Sequence, residues 1–233
     1  MFESKYSKVL TIVLIVIIIA IIGLLGFLAF DYIYKYNLTK QASDFVENYL
    51  GNITTDDQNN TGNVTSNVTE ENVTLGEINE VPINSTTSNG TTSTTGKKKY
   101  KGYTVVGTMK IPDINLEYPI FEDVKTKALE VGLVALYPNG DNLNLPGNTV
   151  VIGHNYRNGT FFSNLKKLST GAKIYVTDYR GKSITYQIYN KFEASSTDTS
   201  FYTRDTNGLA ELTLSTCTDA SNDQRTIIFA KQI

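Results

Sequence analysis

Three residues stand out for the chemistry that their types allow. Cys217 is the only cysteine and His154 the only histidine in 233 residues. Arg225 follows the cysteine by eight positions, at the start of the last apolar run. A thiol becomes a nucleophile as its thiolate, and a neighbouring imidazole favours that form. A guanidinium can hold a carbonyl and the oxyanion that develops on it. Together they would suit acyl transfer through a thioester. Taken one by one, each has a plainer reading. A free cysteine is most often a small buried hydrophobe, a lone histidine a surface residue, and an arginine at a strand end a solvated cap. Position alone leaves the plainer readings ahead, although Cys217 closes an apolar stretch before a polar loop and His154 follows Val150-Val151-Ile152-Gly153 directly. Rigid elements present reactive groups to a cleft in this way.

The elements that must position these residues read as β-structure. Short β-type runs separated by turn residues predict strands at 103–111, 116–120, 133–137, 149–153, 173–177, 183–192, 210–216 and 225–231. Asp178-Tyr179-Arg180-Gly181 reads as a hairpin turn, and Ile184, Tyr186 and Ile188 alternate with polar neighbours as a half-buried strand requires. Phe162, Leu165 and Leu168 have helical spacing and predict one short helix after the histidine. Some eight strands with little helix predict an all-β domain over 100–233, closed or sandwich-like.

Upstream of that domain the composition changes twice. Residues 9–30 are apolar and carry no charge; at roughly 1.5 Å per residue they reach about 33 Å, enough for a bilayer core of about 30 Å. They are too long for the apolar part of a cleaved leader. The reading is a cytoplasmic N-terminus over 1–8, an anchor over 9–30 and an extracellular, mostly disordered stalk over 31–99. Within the stalk, 31–50 keeps enough apolar spacing for a short helix. From residue 51 to 96 Asn, Thr, Ser and Gly dominate, too polar to offset the entropy of ordering. Asn-x-Thr triplets begin there at Asn52, Asn59, Asn63, Asn67, Asn72, Asn84 and Asn89, acceptors for N-glycosylation in a host that has it. Eight acidic and no basic residues lie between 41 and 96, against 17 basic and 13 acidic from 97 onward. That excess is too small for a nucleic-acid surface, and one cysteine excludes an internal disulfide.

The motifs resemble those of the sortase family. Thr213-Leu214-Ser215-Thr216-Cys217 looks like its TLxTC signature, with an arginine a short loop later, and Gly153-His154-Asn155 looks like its catalytic histidine motif. Val106-Gly107 followed by Ile111-Pro112 and then Tyr118-Pro119-Ile120 is similar to the opening strands of that domain. The resemblance covers about residues 100–233. It implies an eight-stranded β-barrel and a membrane-anchored cysteine transpeptidase acting on an LPxTG-like sorting signal, with transfer of the surface protein to an amine of the cell envelope. By position, Cys217 would be the nucleophile, His154 the general acid and base, and Arg225 the oxyanion and substrate holder, with Asn155 as a substrate contact and Thr216 either a substrate contact or a support behind the nucleophile. Gly159-Thr160-Phe161-Phe162 looks like class B members, yet 194–208 is short for their extra helix. No cofactor is implied, and no tight carboxylate cluster marks a calcium site.

Two other readings are distinguishable. A papain-like enzyme places its cysteine before its histidine and on a helix, the reverse of the order here, and no Ser-His-Gly run of an L,D-transpeptidase precedes Cys217. An inactive stalked adhesin would carry the same strands with a sealed thiol.

Overall fold

Each predicted strand forms, most of them a residue or two longer than expected. The computed structural model describes residues 5–58, 96–122 and 124–233. After helix α1 (Lys5–Gln58) come β1 (Lys99–Tyr100), β2 (Tyr103–Ile111), β3 (Leu116–Phe121), helix α2 (Thr126–Leu129), β4 (Leu133–Tyr137) and β5 (Gly147–Ile152). A 3-10 segment (Phe161–Lys167) leads to β6 (Lys173–Asp178), β7 (Ser183–Ser195), β8 (Ala210–Cys217) and β9 (Gln224–Gln232). The strand order is β1-β2-β3-β4-β5-β8-β9-β7-β6, and β2 also pairs with β6, which closes β2–β9 into an eight-stranded barrel. Closure removes the open edges that a sheet of this length would otherwise expose. The pairs β3/β4 and β5/β8 are parallel, the others antiparallel.

Pleating decides what fills the barrel. Ala210, Leu212 and Leu214 of β8, Ile228 and Ala230 of β9, and Val151 of β5 belong to one buried cluster with Met109, Tyr118 and Tyr186. The predicted turn between β6 and β7 is held by Asp178, a fully buried carboxylate that accepts from the Arg180 and Lys182 amides and pairs with the Arg180 guanidinium at 2.7 Å. A buried charge needs such pairing and hydrogen bonding. The helix expected after the histidine is 3-10 rather than α. The connection between β7 and β8 holds no helix.

The helix predicted within 31–50 forms, as part of a longer one. Over that stretch the chain continues α1, which runs on past residue 51, where disorder was predicted to begin, to Gln58. At roughly 1.5 Å per residue the whole helix is about 80 Å long. Its second half packs on the barrel. Ala42 joins the main core with Leu38 against it, and Tyr49 joins Tyr100, Phe121 and Val134 in a second cluster with Phe45. Thr39 Oγ1 lies 3.2 Å from the Tyr118 hydroxyl, and Ser43 Oγ donates to Glu117 Oε2 at 3.0 Å. Leu38, Ala42, Phe45 and Tyr49 are three or four residues apart, one face of a helix. Burial of that face offsets the entropy of ordering this stretch. Six of the seven glycosylation triplets lie outside the described residues.

Candidate active site

Strand register brings the three reactive residues to one place. β8 and β9 pair antiparallel with Cys217 opposite Arg225, and β5 runs parallel to β8 with Ile152 opposite Ser215. His154 lies two residues past Ile152, and Cys217 two past Ser215. Successive side chains alternate between faces. Leu212 and Leu214 fill the barrel, as do Val151 and Ile228. Thr216 and Thr226 therefore point inward, Cys217 and Arg225 lie side by side on the outer face, and His154 stands just past the end of β5, next to the end of β8. Neighbours across paired strands have Cβ atoms about 4.5–5.5 Å apart. All three are partly exposed, so the thiol is not sealed in the core.

The inward row holds the strand ends together. Thr216, 4% exposed, donates its hydroxyl to the Gly153 carbonyl at 2.7 Å. A Cβ on Gly153 would stand 2.7 Å from Leu133 Cδ2 and 2.9 Å from Phe162 Cδ2, so packing, rather than a sharp exit of the chain, demands glycine before the histidine. Asn155 Nδ2 donates to the Cys217 carbonyl and to Asp219 Oδ1, both at 2.8 Å, and its Oδ1 accepts from the Arg157 amide. The polar groups of Thr216 and Asn155 thus join the end of β5 to the end of β8.

The loop from Thr218 to Gln224 is closed by its own bonds. The Thr218 amide donates to the Gln224 carbonyl at 3.0 Å, and Thr218 Oγ1 donates to the Ser221 carbonyl at 2.9 Å. Asp219 pairs with Lys166. Arg225 Nη1 donates to the carbonyls of Asn222 and Gln224, so the guanidinium rests on the loop that precedes it. Beside it, the β7–β8 connection covers the outer face of the hairpin. Arg204 lies 3.9 Å over the Phe229 ring and pairs with Glu211 at 2.7 Å, and Tyr202 packs on Tyr137 with centroids 5.4 Å apart. Burial raises the Tyr202 phenol's pKa, and the positive charge of Arg225 works against that rise.

His154 is held by rings. Tyr156 packs on the imidazole at 4.7 Å between centroids, Phe161 on Tyr156 at 5.9 Å, and Tyr118 on Phe161 at 4.9 Å. The series ends at the Tyr118 hydroxyl beside Thr39 of α1. Burial penalises the imidazolium and lowers the His154 pKa below its ordinary value, while the Glu130 carboxylate pulls the other way. The neutral imidazole, able to accept a proton, is therefore the resting form at neutral pH. Sequence reasoning missed Tyr156 and Glu130. An aromatic residue two positions after the histidine was a visible signal for the first; nothing in sequence ties Glu130 to the site. Among the described residues no cluster of three His, Cys, Asp or Glu could hold a metal ion.

A thiol, an imidazole and a guanidinium at the ends of adjoining strands fit acyl transfer, and comparison with known proteins agrees. The sortase domain family model matches residues 109–233, more than half of the chain, and the protein belongs to the sortase family. It is 30% identical over 131 residues to sortase A of Streptococcus agalactiae, covering 54% of this chain and 52% of that protein. Among solved structures, sortase A from Corynebacterium diphtheriae is 29% identical with a TM-score of 0.50, covering 56% of this chain and 61% of that one. Sortase A of Listeria monocytogenes, 23% identical with a TM-score of 0.50 over 55% of this chain and 87% of that one, shares the fold. The chain spans about half the length of the curated relatives it matches.

Proposed function

We propose that this protein is a membrane-anchored cysteine transpeptidase that cleaves an LPxTG-like sorting signal and joins the freed carboxyl end to an amine of the cell envelope. The observation that supports the reading most is the meeting of His154, Cys217 and Arg225 at adjoining strand ends, given by the pairing of Cys217 with Arg225 and of Ile152 with Ser215. Neutral His154 takes the thiol proton, and the thiolate of Cys217 attacks the scissile carbonyl carbon. Arg225 leaves its loop carbonyls and donates to the oxygen on which negative charge develops, where a preorganised donor has most effect. The C–N bond breaks as the imidazolium protonates the departing amine, leaving a thioester on Cys217. An incoming amine then displaces the sulfur, with His154 as base.

The anchor rests on α1, the one helix among the described residues long and apolar enough to cross a membrane. Tyr32, Tyr34 and Tyr36 follow the apolar run, where rings with one polar end favour the interface. The Asn- and Thr-rich segment beyond has the composition of exported chain, which supports an extracellular barrel. The test is to incubate the full chain in phosphatidylcholine vesicles with an LPxTG-type peptide, with and without a primary amine. The expected result is a peptide adduct on Cys217 by mass and an amide product when amine is present. Hydrolysis alone would point to a cysteine peptidase, and no adduct to an inactive surface domain.

A further inference from the structure

The order in which α1 meets the barrel fixes how the barrel stands over a bilayer that the helix crosses. Asp31, Tyr34, Lys35 and Leu38, one face of the helix, share a cleft with Tyr156, Asn158 and Thr160 of the loop that follows His154. Farther along, Thr39 meets Tyr118, Ser43 meets Glu117, and Phe45 and Tyr49 join Tyr100. At roughly 1.5 Å per residue the first group lies within about 12 Å of Phe30, the end of the apolar run, and Tyr49 about 28 Å from it. Headgroups extend a bilayer from about 30 Å to about 40–45 Å, roughly 5–7 Å on each side. The helix is continuous from Lys5 to Gln58, so the span and the face that packs on the barrel share one axis. A tilt of roughly 20° moves a point about 10 Å off that axis by only ~3 Å. Of these contacts, the loop after His154 therefore stands nearest the bilayer, at the height of the headgroups. Its surface suits that place. Tyr156 is 46% exposed, and Arg157, Asn158 and Gly159 are exposed with it. Tyr32, Tyr34 and Tyr36 of α1 are exposed at the same level, and rings with one polar end collect at membrane interfaces. The charges there, Asp31 and Glu130 against Lys35 and Arg157, cancel, so the contact calls for no anionic lipid.

We infer that the loop at 155–159 is a lipid-contacting surface: the Tyr156 ring sits among the headgroups of the bilayer that α1 crosses and seats the active site on the membrane. The inference rests on the anchor reading and adds how the catalytic end of the barrel is oriented. The ring that meets lipid is also the ring packed on the His154 imidazole, 4.7 Å between centroids. Contact with the bilayer therefore restrains the support of the histidine, and substrates held in the same bilayer meet the site at their own height. The anchor helix sets the working position of the barrel and is not merely a tether.

The test uses the full chain in phosphatidylcholine vesicles doped with a phosphatidylcholine that carries a photoactivatable diazirine on its headgroup, and labelled residues are located by mass. Residues 155–159 should take up label, and residues 98–103, which lie beside Tyr49 at the far end of the contact, should not. A second chain carries seven polar, helix-favouring residues inserted between Phe30 and Asp31. The insertion lifts the barrel by about 10 Å and turns it by only ~20°, and label on 155–159 should fall to the level on 98–103. Flotation with the vesicles checks the anchor separately. A chain that floats yet carries no label at 155–159, equal label on the two segments, or label that survives the insertion overturns the seating and leaves the anchor reading intact. A chain that stays behind when the vesicles float overturns both.

Discussion

The hairpin that carries Cys217 and Arg225 and the loop that carries His154 reach the same site by different means. In the hairpin, the two reactive residues are opposite partners in one antiparallel ladder, eight positions apart in the chain, and backbone hydrogen bonds fix their separation. The histidine lies 63 residues before the cysteine and leaves its strand at the site. Its ring is held by Tyr156, then Phe161, then Tyr118, and finally by α1. Cys217 and Arg225 thus depend on local pairing, whereas the imidazole depends on packing that gathers three distant parts of the chain. Damage to the hairpin should strike the chemistry directly; damage to the ring series should strike the histidine's position and pKa.

Cys217→Ala should give the largest effect, complete loss of the peptide adduct by mass spectrometry. Arg225→Lys keeps the charge but not the planar fork; turnover of the sorting peptide should fall about a hundredfold, as when one oxyanion donor is removed. A near-native rate for this variant would sink the role assigned to Arg225. Tyr156→Ala uncovers one face of the imidazole. Turnover should fall about tenfold, within the range that a positioned acid–base group contributes, and the acid limb of the pH–rate profile should move upward as His154 regains water. An unmoved limb would mean that the stacked ring does not set the imidazole's environment. Glu130→Gln removes the charge that favours the imidazolium, so the same limb should move the other way, to lower pH, by a smaller step.

The linked effect on stability has a definite sign. Burial lowers the His154 pKa in the folded state, so the unfolded chain binds the proton more tightly. The stabilisation is present above the ordinary imidazole range and is lost as pH falls through the lower folded value. Denaturant titrations across that window should show it in the intact protein and show less of it in Tyr156→Ala.

Much of the barrel was legible in sequence because β-alternation and turn residues are local. The runs at 103–111, 133–137 and 183–192 announced their strands, and Asp178 to Gly181 its turn. The candidate residues could be singled out for another reason: a single cysteine and a single histidine leave few combinations, and both end apolar runs. Partners within the motifs were not. Thr216 and Asn155 flank Cys217 and His154 in sequence, but in a strand the next residue faces the other side, and the bond from the Thr216 hydroxyl to the Gly153 carbonyl joins segments far apart in the chain. The helix over 31–50 was legible in its apolar spacing, but what its face of Leu38, Ala42, Phe45 and Tyr49 packs against was not, since the barrel that covers it is distant in the chain.

Sequence by itself determined that an uncharged run of 22 residues precedes a β-rich domain with one thiol, one imidazole and a guanidinium at its strand ends. Those properties follow from side-chain chemistry and short-range periodicity. Tertiary structure decided which residues share a face, through the register of β8 and β9, and it decided that α1 lies along the barrel against Glu117 and Tyr118 of β3. Both are set by contacts between segments far apart in the chain, whose free energy exists only once the barrel has closed.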